Sequence, residues 1–386
     1  MAVLDLRPRH PPRVAIVLEH PAQHFIESFR HAALSKRIGA SVVYWTENKD
    51  GQFDVEFGRQ VTWDVDLLSG YPWQRPSGES LRARAFDLFR VLGSLKPDVV
   101  VCFGWGNAVS RLTALWCFIR RVPILFYGDT TWQHTPRSVR ERVRRSLLRL
   151  AFRLSAGALS TGTFNREFYI QLGMRPERIF ESVCPIDVAT YSRARKMRRR
   201  RGKEVTVVGF AGKLIRRKGV DVLLNALRIV GDEYRWEARI VGDGPERVPL
   251  QELSNSLGLA DRVCFAGFRN TTEMPSELAA MDVVVVPSTK DMRVLVATEA
   301  MTAGAAVVVS SNTAIWGRGD LVEDGVTGRV FRSGNPTELA AILCELIANL
   351  DMRTSLQSAG VERAARQGPE AFTKGLEHAA EAVIGG

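Results

Sequence analysis

Short apolar runs, each followed by a stretch of helical periodicity, constrain the fold of this 386-residue chain more than any other feature. Such runs are typical of strands buried on both faces of a parallel sheet. Strands that alternate with helices predict an α/β protein with two doubly wound domains. The predicted strands are Val14–Leu18, Ser41–Trp45, Asp98–Phe103, Pro123–Tyr127 and Gly157–Ser160 in the first half, and Val205–Ala211, Trp236–Val241, Arg262–Ala266, Asp282–Pro287 and Ala305–Ser310 in the second.

The domain boundaries follow from where this pattern breaks. Segment 189–203 is very basic and shows no apolar repeat, so we predict a linker between a domain at 1–188 and a domain at 204–365. The stretch Pro336–Val383 predicts two or three helices, and 366–386 is expected to pack back on the N-terminal domain. Asn48–Pro76 is too long for a simple connection, which favours either an acceptor-binding loop or one packed by its own aromatic residues.

Composition excludes several classes of protein. The sequence has no apolar run long enough to span a bilayer, and its basic, proline-rich start does not resemble a signal peptide. Its five scattered cysteines favour neither a disulfide framework nor a zinc site. These features predict a cytoplasmic protein that binds no metal.

The net charge of +11 is carried mainly by arginine. One cluster lies in Arg137–Arg153, a predicted basic amphipathic helix, and another lies in Arg193–Lys203. The first cluster suits either peripheral contact with an anionic membrane or a solvated face. No nucleic-acid-binding motif accompanies the charge, so no nucleic-acid partner is expected.

Glycines and lysines follow two strands of the second half. Gly209–Lys213 is followed by Lys218-Gly219, and Gly242–Glu246 follows the next strand. Glycines allow a close backbone approach, helix N-termini attract anions, and lysines can offset the charge of a diphosphate leaving group. Alone, these stretches are equally compatible with surface lysines and an ordinary tight turn.

Two carboxylates complete the pattern. Asp291 follows the strand that ends at Pro287, and Glu299 lies in a predicted helix, Val294–Ala303, that ends at Gly304. An ionised carboxylate in an apolar helix needs a partner. Sugar and ribose hydroxyls are suitable donors, and a structural salt bridge is the alternative.

Together these elements resemble the retaining glycosyltransferases of family 4, which have a GT-B fold. The resemblance extends in family order from Gly212 to Gly328. It is carried by Gly212-Lys213-Leu214, Lys218-Gly219, Val241–Pro245, Arg262-Val263, Phe265, Gly267, Asp282–Ser288, Glu299-Ala300-Met301, Gly304 and Val322–Gly328.

The resemblance implies two Rossmann-like domains that face a central cleft, and it implies roles for individual residues. Lys213 and Lys218 would clamp the diphosphate, Glu299 would bind the ribose, and Asp291 would face the donor sugar. Phe268 and Arg269 would lie beside the nucleobase of the donor. The expected donor site also includes Gly212, Gly242, Gly244, Met292, Arg293 and Val294.

Two departures from the family pattern fall at the donor sugar. The family usually has Glu where this chain has Asp291, and it has Gly-Phe-Gly where this chain has Met292-Arg293-Val294. The added side chains restrict the loop, and Arg293 adds a charge. An altered donor sugar and an inactive relic are the two hypotheses that follow.

The first half is more divergent and is expected to bind the acceptor. Glu19–Phe25 stands where the family often has a glycine-rich loop, and it supplies His20, Gln23 and His24. Asp129 and His134 follow the strand after which many members carry a histidine. Asp129 is predicted to act with Lys213, Lys218 and Asp291 in catalysis, although each first-half residue also fits a structural role.

The implied reaction moves a hexosyl or N-acetylhexosaminyl group, with retention, from a nucleotide-diphosphate sugar, preferably UDP-linked. The acceptor would be a saccharide, a lipid-linked molecule or a small natural product. No cofactor or metal is expected, because lysines and helix N-termini take the metal's role. The alternatives are a non-catalytic sugar-nucleotide-binding relic and a sugar-nucleotide epimerase. The excess of arginine over lysine favours a bacterial source.

Overall fold

A computed structural model describes residues 10–46, 52–54, 59–132, 139–197 and 205–385. Within these ranges the chain forms two parallel α/β sheets, each in its own domain, and one short antiparallel hairpin. No helix in the same ranges combines the length and apolar character needed to cross a bilayer.

The N-terminal domain is built on a parallel sheet with strand order β5-β2-β1-β6-β7-β8-β9. Its elements are β1 (Arg13–Leu18), α1 (Ile26–Ala33), β2 (Gly39–Tyr44), β3 (Gln52–Asp54), β4 (Arg59–Val61), β5 (Trp73–Gln74), α2 (Leu81–Leu95), β6 (Val99–Phe103), α3 (Ala108–Arg120), β7 (Ile124–Gly128), α4 (Val139–Leu154), β8 (Gly157–Ser160), α5 (Thr163–Gln171) and β9 (Ile179–Glu181).

The C-terminal domain is built on a parallel sheet with strand order β12-β11-β10-β13-β14-β15. The elements of this half of the chain are α6 (Val188–Met197), β10 (Thr206–Ala211), α7 (Val220–Val230), β11 (Trp236–Val241), α8 (Arg247–Ser256), β12 (Val263–Gly267), α9 (Met274–Ala279), β13 (Val283–Val286), α10 (Leu295–Thr302), β14 (Ala306–Ser310), β15 (Arg329–Phe331), α11 (Pro336–Ala348), α12 (Leu350–Ala364) and α13 (Pro369–Ile384).

Both sheets reverse their strand order beside the first strand of the domain. The switch lies between β1 and β6 in one sheet and between β10 and β13 in the other. Ligands of open α/β sheets bind at the carboxyl ends of the strands, next to such a switch. The loops after β1, β10 and β13 carry most of the predicted site residues, and the loops after β7, β11 and β12 carry others.

The prediction of two α/β domains is confirmed, and every predicted strand is present with ends shifted by at most about two residues. The sequence analysis missed the short edge strands β5, β9 and β15, which offer too few residues for a periodic signal. Segment Asn48–Pro76 is not a plain loop, because part of it pairs as the hairpin β3–β4 and part joins the sheet as β5.

Part of the predicted linker 189–203 is helical, because residues as far as Met197 belong to helix α6. Tyr191 is buried, and Val188 and Ala194 pack against the same core of the C-terminal domain. These three residues have the i, i+3, i+6 spacing of a helix face, but the sequence analysis did not recognise it because arginines lie between and after them. Residues 198–204 lie outside the described ranges.

The last helix, α13, crosses back to the N-terminal domain. Phe372 and Leu376 are fully buried in its core, against α1. Two polar contacts join α13 to the segment that follows α1. Ser35 donates a hydrogen bond to Glu377 at 2.6 Å, and Arg37 pairs with Glu381 at 2.5 Å. The chain therefore crosses between the two domains twice.

Candidate active site

The loops after β10 and β11 contact each other through their backbones, and glycine is required there. A Cβ on Gly242 would lie 1.8 Å from the carbonyl oxygen of Gly212, and one on Gly244 would lie 2.5 Å from that of Leu214. The loops are also hydrogen-bonded, since Leu214 N donates to the carbonyl of Asp243 at 2.8 Å. These predicted donor-site glycines therefore shape the floor of a cleft, which Gly212 and Gly242 line directly.

Lys218 reaches the end of β13 because its loop turns sharply at Gly219. Gly219 has φ +67°, and a Cβ there would lie 2.2 Å from the carbonyl oxygen of Pro287. The Lys218 Nζ lies 2.5 Å from Asp291 Oδ2, and Ser288 Oγ donates to the same oxygen at 3.1 Å. Both charged side chains are less than one-fifth exposed. The two predicted catalytic residues are thus paired with each other.

Two further basic residues, Arg217 and Lys213, belong to this loop. Arg217 Nη1 lies 3.9 Å from Asp291 Oδ1, and Lys213 is half-buried in the loop that follows β10. An anion bound here would meet several cations on a rigid backbone, which is the arrangement that stabilises a departing diphosphate.

Glu299 lies on α10 and faces the same cleft as Gly212 and Gly242. Burial raises the pKa of its carboxyl to about 7, and a hydrogen bond with Tyr191 opposes that shift. Tyr191 and Asp187 also line the cleft. The sequence analysis missed Tyr191, and its aromatic ring among basic residues was the available signal.

The three side chains of the segment Met292-Arg293-Val294 have different surroundings. Val294 is buried in the core of the C-terminal domain, and Met292 is partly exposed. The Arg293 side chain is only 6% exposed, and its Nη1 lies 3.7 Å from Asp320 Oδ1. Its Nη2 donates to Gln367 Oε1 at 3.2 Å.

Arg293 also reaches the N-terminal domain. A Cβ on Gly162 would lie 2.8 Å from Arg293 Nη1, so the guanidinium packs directly against the backbone there. Asp320 accepts a hydrogen bond from Thr163 N at 3.0 Å, at the start of α5. Burial raises the pKa of Asp129, and the charge of Arg293 opposes that shift. Arg293 therefore extends from the predicted donor loop to Gly162 of the N-terminal domain.

Phe268 and Arg269, which were predicted to contact the nucleobase, follow β12 and line the cleft. The Arg269 guanidinium is held by Glu277, to which its Nε donates at 2.8 Å. Glu277 is in turn paired with Arg239 at 2.6 Å. Arg269 Nη1 also lies 3.7 Å from Glu273 Oε1, so two carboxylates hold this guanidinium in place.

The N-terminal domain contributes Gln23 and His24 to this cleft, opposite Glu299. Burial lowers the pKa of His24 to about 4, so its imidazole is neutral at pH 7. His20 is exposed, and His134 lies outside the described residues. Glu27 and Trp63 also line the cleft. The sequence analysis missed Glu27 and included Trp63 only within the segment Asn48–Pro76.

No group of three or more His, Cys, Asp or Glu side chains in the described part of the chain is arranged to hold a metal ion. The expectation that catalysis needs neither metal nor cofactor stays a prediction.

Comparison with known proteins agrees with this geometry. Residues 205–349 match the family model of Glycosyl transferases group 1. The D-inositol 3-phosphate glycosyltransferase of Stackebrandtia nassauensis is 31% identical over 224 residues, which cover 54% of this chain and 48% of that protein. The lipopolysaccharide core biosynthesis glycosyltransferase LpsE of Rhizobium meliloti is 31% identical over 159 residues, covering 41% and 44%. The matches thus span about half or less of these relatives.

Solved structures identify the fold over nearly the whole chain. Anabaena Alr3699/HepE, crystallised with UDP and glucose, superposes with a TM-score of 0.71 at 20% identity, covering 96% of this chain and 100% of that chain. The architecture is GT-B, as the sequence resemblance implied. The C-terminal domain is similar in sequence to group 1 glycosyltransferases.

Proposed function

We propose that this protein is a retaining glycosyltransferase that uses a UDP-sugar as donor. One observation carries the proposal: a single interdomain cleft is lined by Gly212, Gly242 and Glu299 from one domain and by Gln23 and His24 from the other. A donor held by the first set would face an acceptor held by the second. UDP-bound HepE, with the same fold, supports the choice of nucleotide.

The proposed chemistry is a displacement on one face of the donor sugar. The bond from the anomeric carbon to the diphosphate oxygen breaks, and a bond to the acceptor hydroxyl oxygen forms on the same face. The hydroxyl proton passes to the departing phosphate. Lys213 and Lys218 stabilise the charge that develops on the diphosphate, while Asp291 and Asp129 lie near the sugar.

The transferred group is a hexosyl or N-acetylhexosaminyl unit, and the acceptor is a saccharide, a lipid-linked molecule or a small natural product. The relatives named above act in the glycosylation of inositol phosphate and in lipopolysaccharide core biosynthesis, so both small and lipid-linked acceptors are represented among similar proteins.

A peripheral membrane contact through α4 is part of the same proposal. Leu147, Leu150 and Leu154 recur on one face of the helix and are each more than half exposed. Arg149 and Arg153 are exposed beside them. An apolar stripe flanked by arginines suits the interface of an anionic bilayer.

The test is release of UDP by the purified chain with UDP-glucose, UDP-galactose, UDP-N-acetylglucosamine and a GDP-sugar, with and without cell extract as an acceptor source. We expect turnover with a UDP-sugar and an axial-to-axial product configuration by proton NMR. Tight UDP binding without turnover on any donor would identify a non-catalytic relic instead. Interconversion of two UDP-sugars without UDP release would identify an epimerase.

A further inference from the structure

Trp63 belongs to the N-terminal domain, yet it lines the cleft beside residues of the C-terminal domain. It follows β4 by two residues, and its neighbours in the cleft include Phe268, Arg269 and Met274. These neighbours lie on the loop after β12 and at the start of α9. The indole thus lies across the cleft from Phe268 and Arg269, where the base of a nucleotide is expected to bind.

The residues on either side of Trp63 are tied to that same loop. Asn270 Nδ2 donates a hydrogen bond to the carbonyl oxygen of Thr62 at 2.8 Å. The Asp64 carboxylate accepts from Thr272 N at 3.2 Å and from the Thr272 hydroxyl. Trp63 is therefore bracketed by contacts that join the two domains.

The loop that follows Trp63 is rigidly mounted on the N-terminal domain. Arg30 donates to the carbonyl oxygens of Ser69 at 2.9 Å and Asp66 at 3.2 Å. The Tyr71 hydroxyl donates to the carbonyl of Leu67 at 2.5 Å, and it lies 2.7 Å from the Tyr44 hydroxyl in the core. A side chain mounted in this way is preorganised for its ligand, which reduces the entropy lost on binding.

We infer that Trp63 stacks on the nucleobase of the donor, so that the nucleotide is a ligand of both domains. The inference rests on the proposed function. Aromatic side chains stack on any base. The Arg269 guanidinium is held by Glu277 and Glu273, so its planar face is fixed on the other side of the cleft. Nucleotide binding would then hold the cleft closed, with Asp64 and Thr272 as positioning residues.

The experiment is calorimetric titration of the full chain with UDP and, separately, with pyrophosphate, which has no base. Trp63→Ala should raise the Kd for UDP about tenfold or more and leave the Kd for pyrophosphate unchanged. Trp63→Phe should retain most of the affinity. Asp64→Ala should weaken UDP binding by a smaller factor, because it removes the contact with Thr272 that positions Trp63. Phe86→Ala, at an exposed aromatic residue of the same domain, is the matched control.

Several outcomes would overturn the inference. An unchanged Kd for UDP in Trp63→Ala would exclude stacking, and an equal loss for UDP and pyrophosphate would indicate general damage to the cleft. An unchanged Kd with a raised KM for the acceptor would assign Trp63 to acceptor binding. Failure of the wild-type protein to bind UDP would instead reject the proposed function itself, so the two failures are distinguishable.

Discussion

The ammonium of Lys218 lies 2.5 Å from the carboxylate of Asp291, although the two residues are 73 positions apart in the chain. Both side chains are largely buried, so each holds the charge of the other in an environment where an unpaired charge is costly. Glycine at 219 makes the contact possible, because the backbone there lies against the end of β13. The pair joins Lys218, which is predicted to bind the diphosphate, to Asp291, which is predicted to face the donor sugar.

Loss of the Lys218 charge is expected to slow turnover. Lys218→Ala should lower kcat for UDP release by at least roughly tenfold, about 1.4 kcal/mol of barrier, because the developing diphosphate charge loses a cation. Lys290→Ala, at an exposed lysine of the neighbouring loop, is the control and should retain full activity. Unchanged turnover in Lys218→Ala would remove Lys218 from the reaction.

The raised pKa of Glu299 predicts how donor binding depends on pH. Burial raises the pKa of this carboxyl from 4.5 to about 7, and ribose hydroxyls donate best to its ionised form. Affinity for UDP-glucose, whose phosphates do not titrate in this range, should therefore increase between pH 6 and pH 8. Glu299→Gln should bind more weakly at pH 8 and lack this dependence. Equal pH profiles for the two proteins would exclude the ribose role.

The same pKa predicts an effect on stability. Because the folded-state pKa lies above the unfolded value, ionisation of Glu299 opposes folding, and its cost develops as the pH rises from about 4.5 to about 7. The difference in Tm between Glu299→Gln and wild type should thus be more positive at pH 8 than at pH 5. A constant difference across this range would contradict the assignment.

Glycine at 242 is expected to be indispensable for the donor loops. Gly242→Ala places a Cβ 1.8 Å from the carbonyl oxygen of Gly212, so the backbone must move. We expect a loss of about 1–3 kcal/mol in the free energy of unfolding and weaker UDP binding. Gly93→Ala is the control, because Gly93 lies inside α2 with no atom within 4 Å of its added Cβ. That variant should gain about 0.5–1 kcal/mol.

Membrane contact is tested with vesicles that contain phosphatidylglycerol. The wild type should float with them at low salt, and Arg149→Gln/Arg153→Gln should float less, because both arginines are exposed beside the leucine stripe. Arg228→Gln/Arg332→Gln removes the same charge from the C-terminal domain and is the control. If neither the wild type nor the variant floats, the basic face of α4 is simply solvated and does not bind membrane.

Arginines 144 and 145 are unsuitable for that test. The Arg144 guanidinium lies 4.8 Å from the ring centre of Trp105, and that of Arg145 lies 4.0 Å from the ring centre of Trp132. Their replacement would disturb packing within the domain as well as surface charge.

Local patterns were sufficient to predict the long buried strands and the glycine loops. A buried strand such as Val283–Val286 is apolar throughout, and a close backbone contact such as that of Gly242 tolerates no side chain, so both leave a signal in neighbouring residues. The helix α6 left a weak signal, because its apolar stripe is short and its surface is basic.

By itself, the sequence determined the α/β class, the GT-B resemblance and the residues expected to hold a donor, because each depends on periodicity or on short motifs. Only the tertiary structure decided which of these residues meet. It paired Lys218 with Asp291, directed Arg293 toward Asp320 and Gly162, and brought Trp63 to the wall opposite Phe268. These contacts join loops of different strands or domains, and their geometry depends on how the strands are ordered in each sheet and on how the two domains meet at the cleft, which no local pattern records.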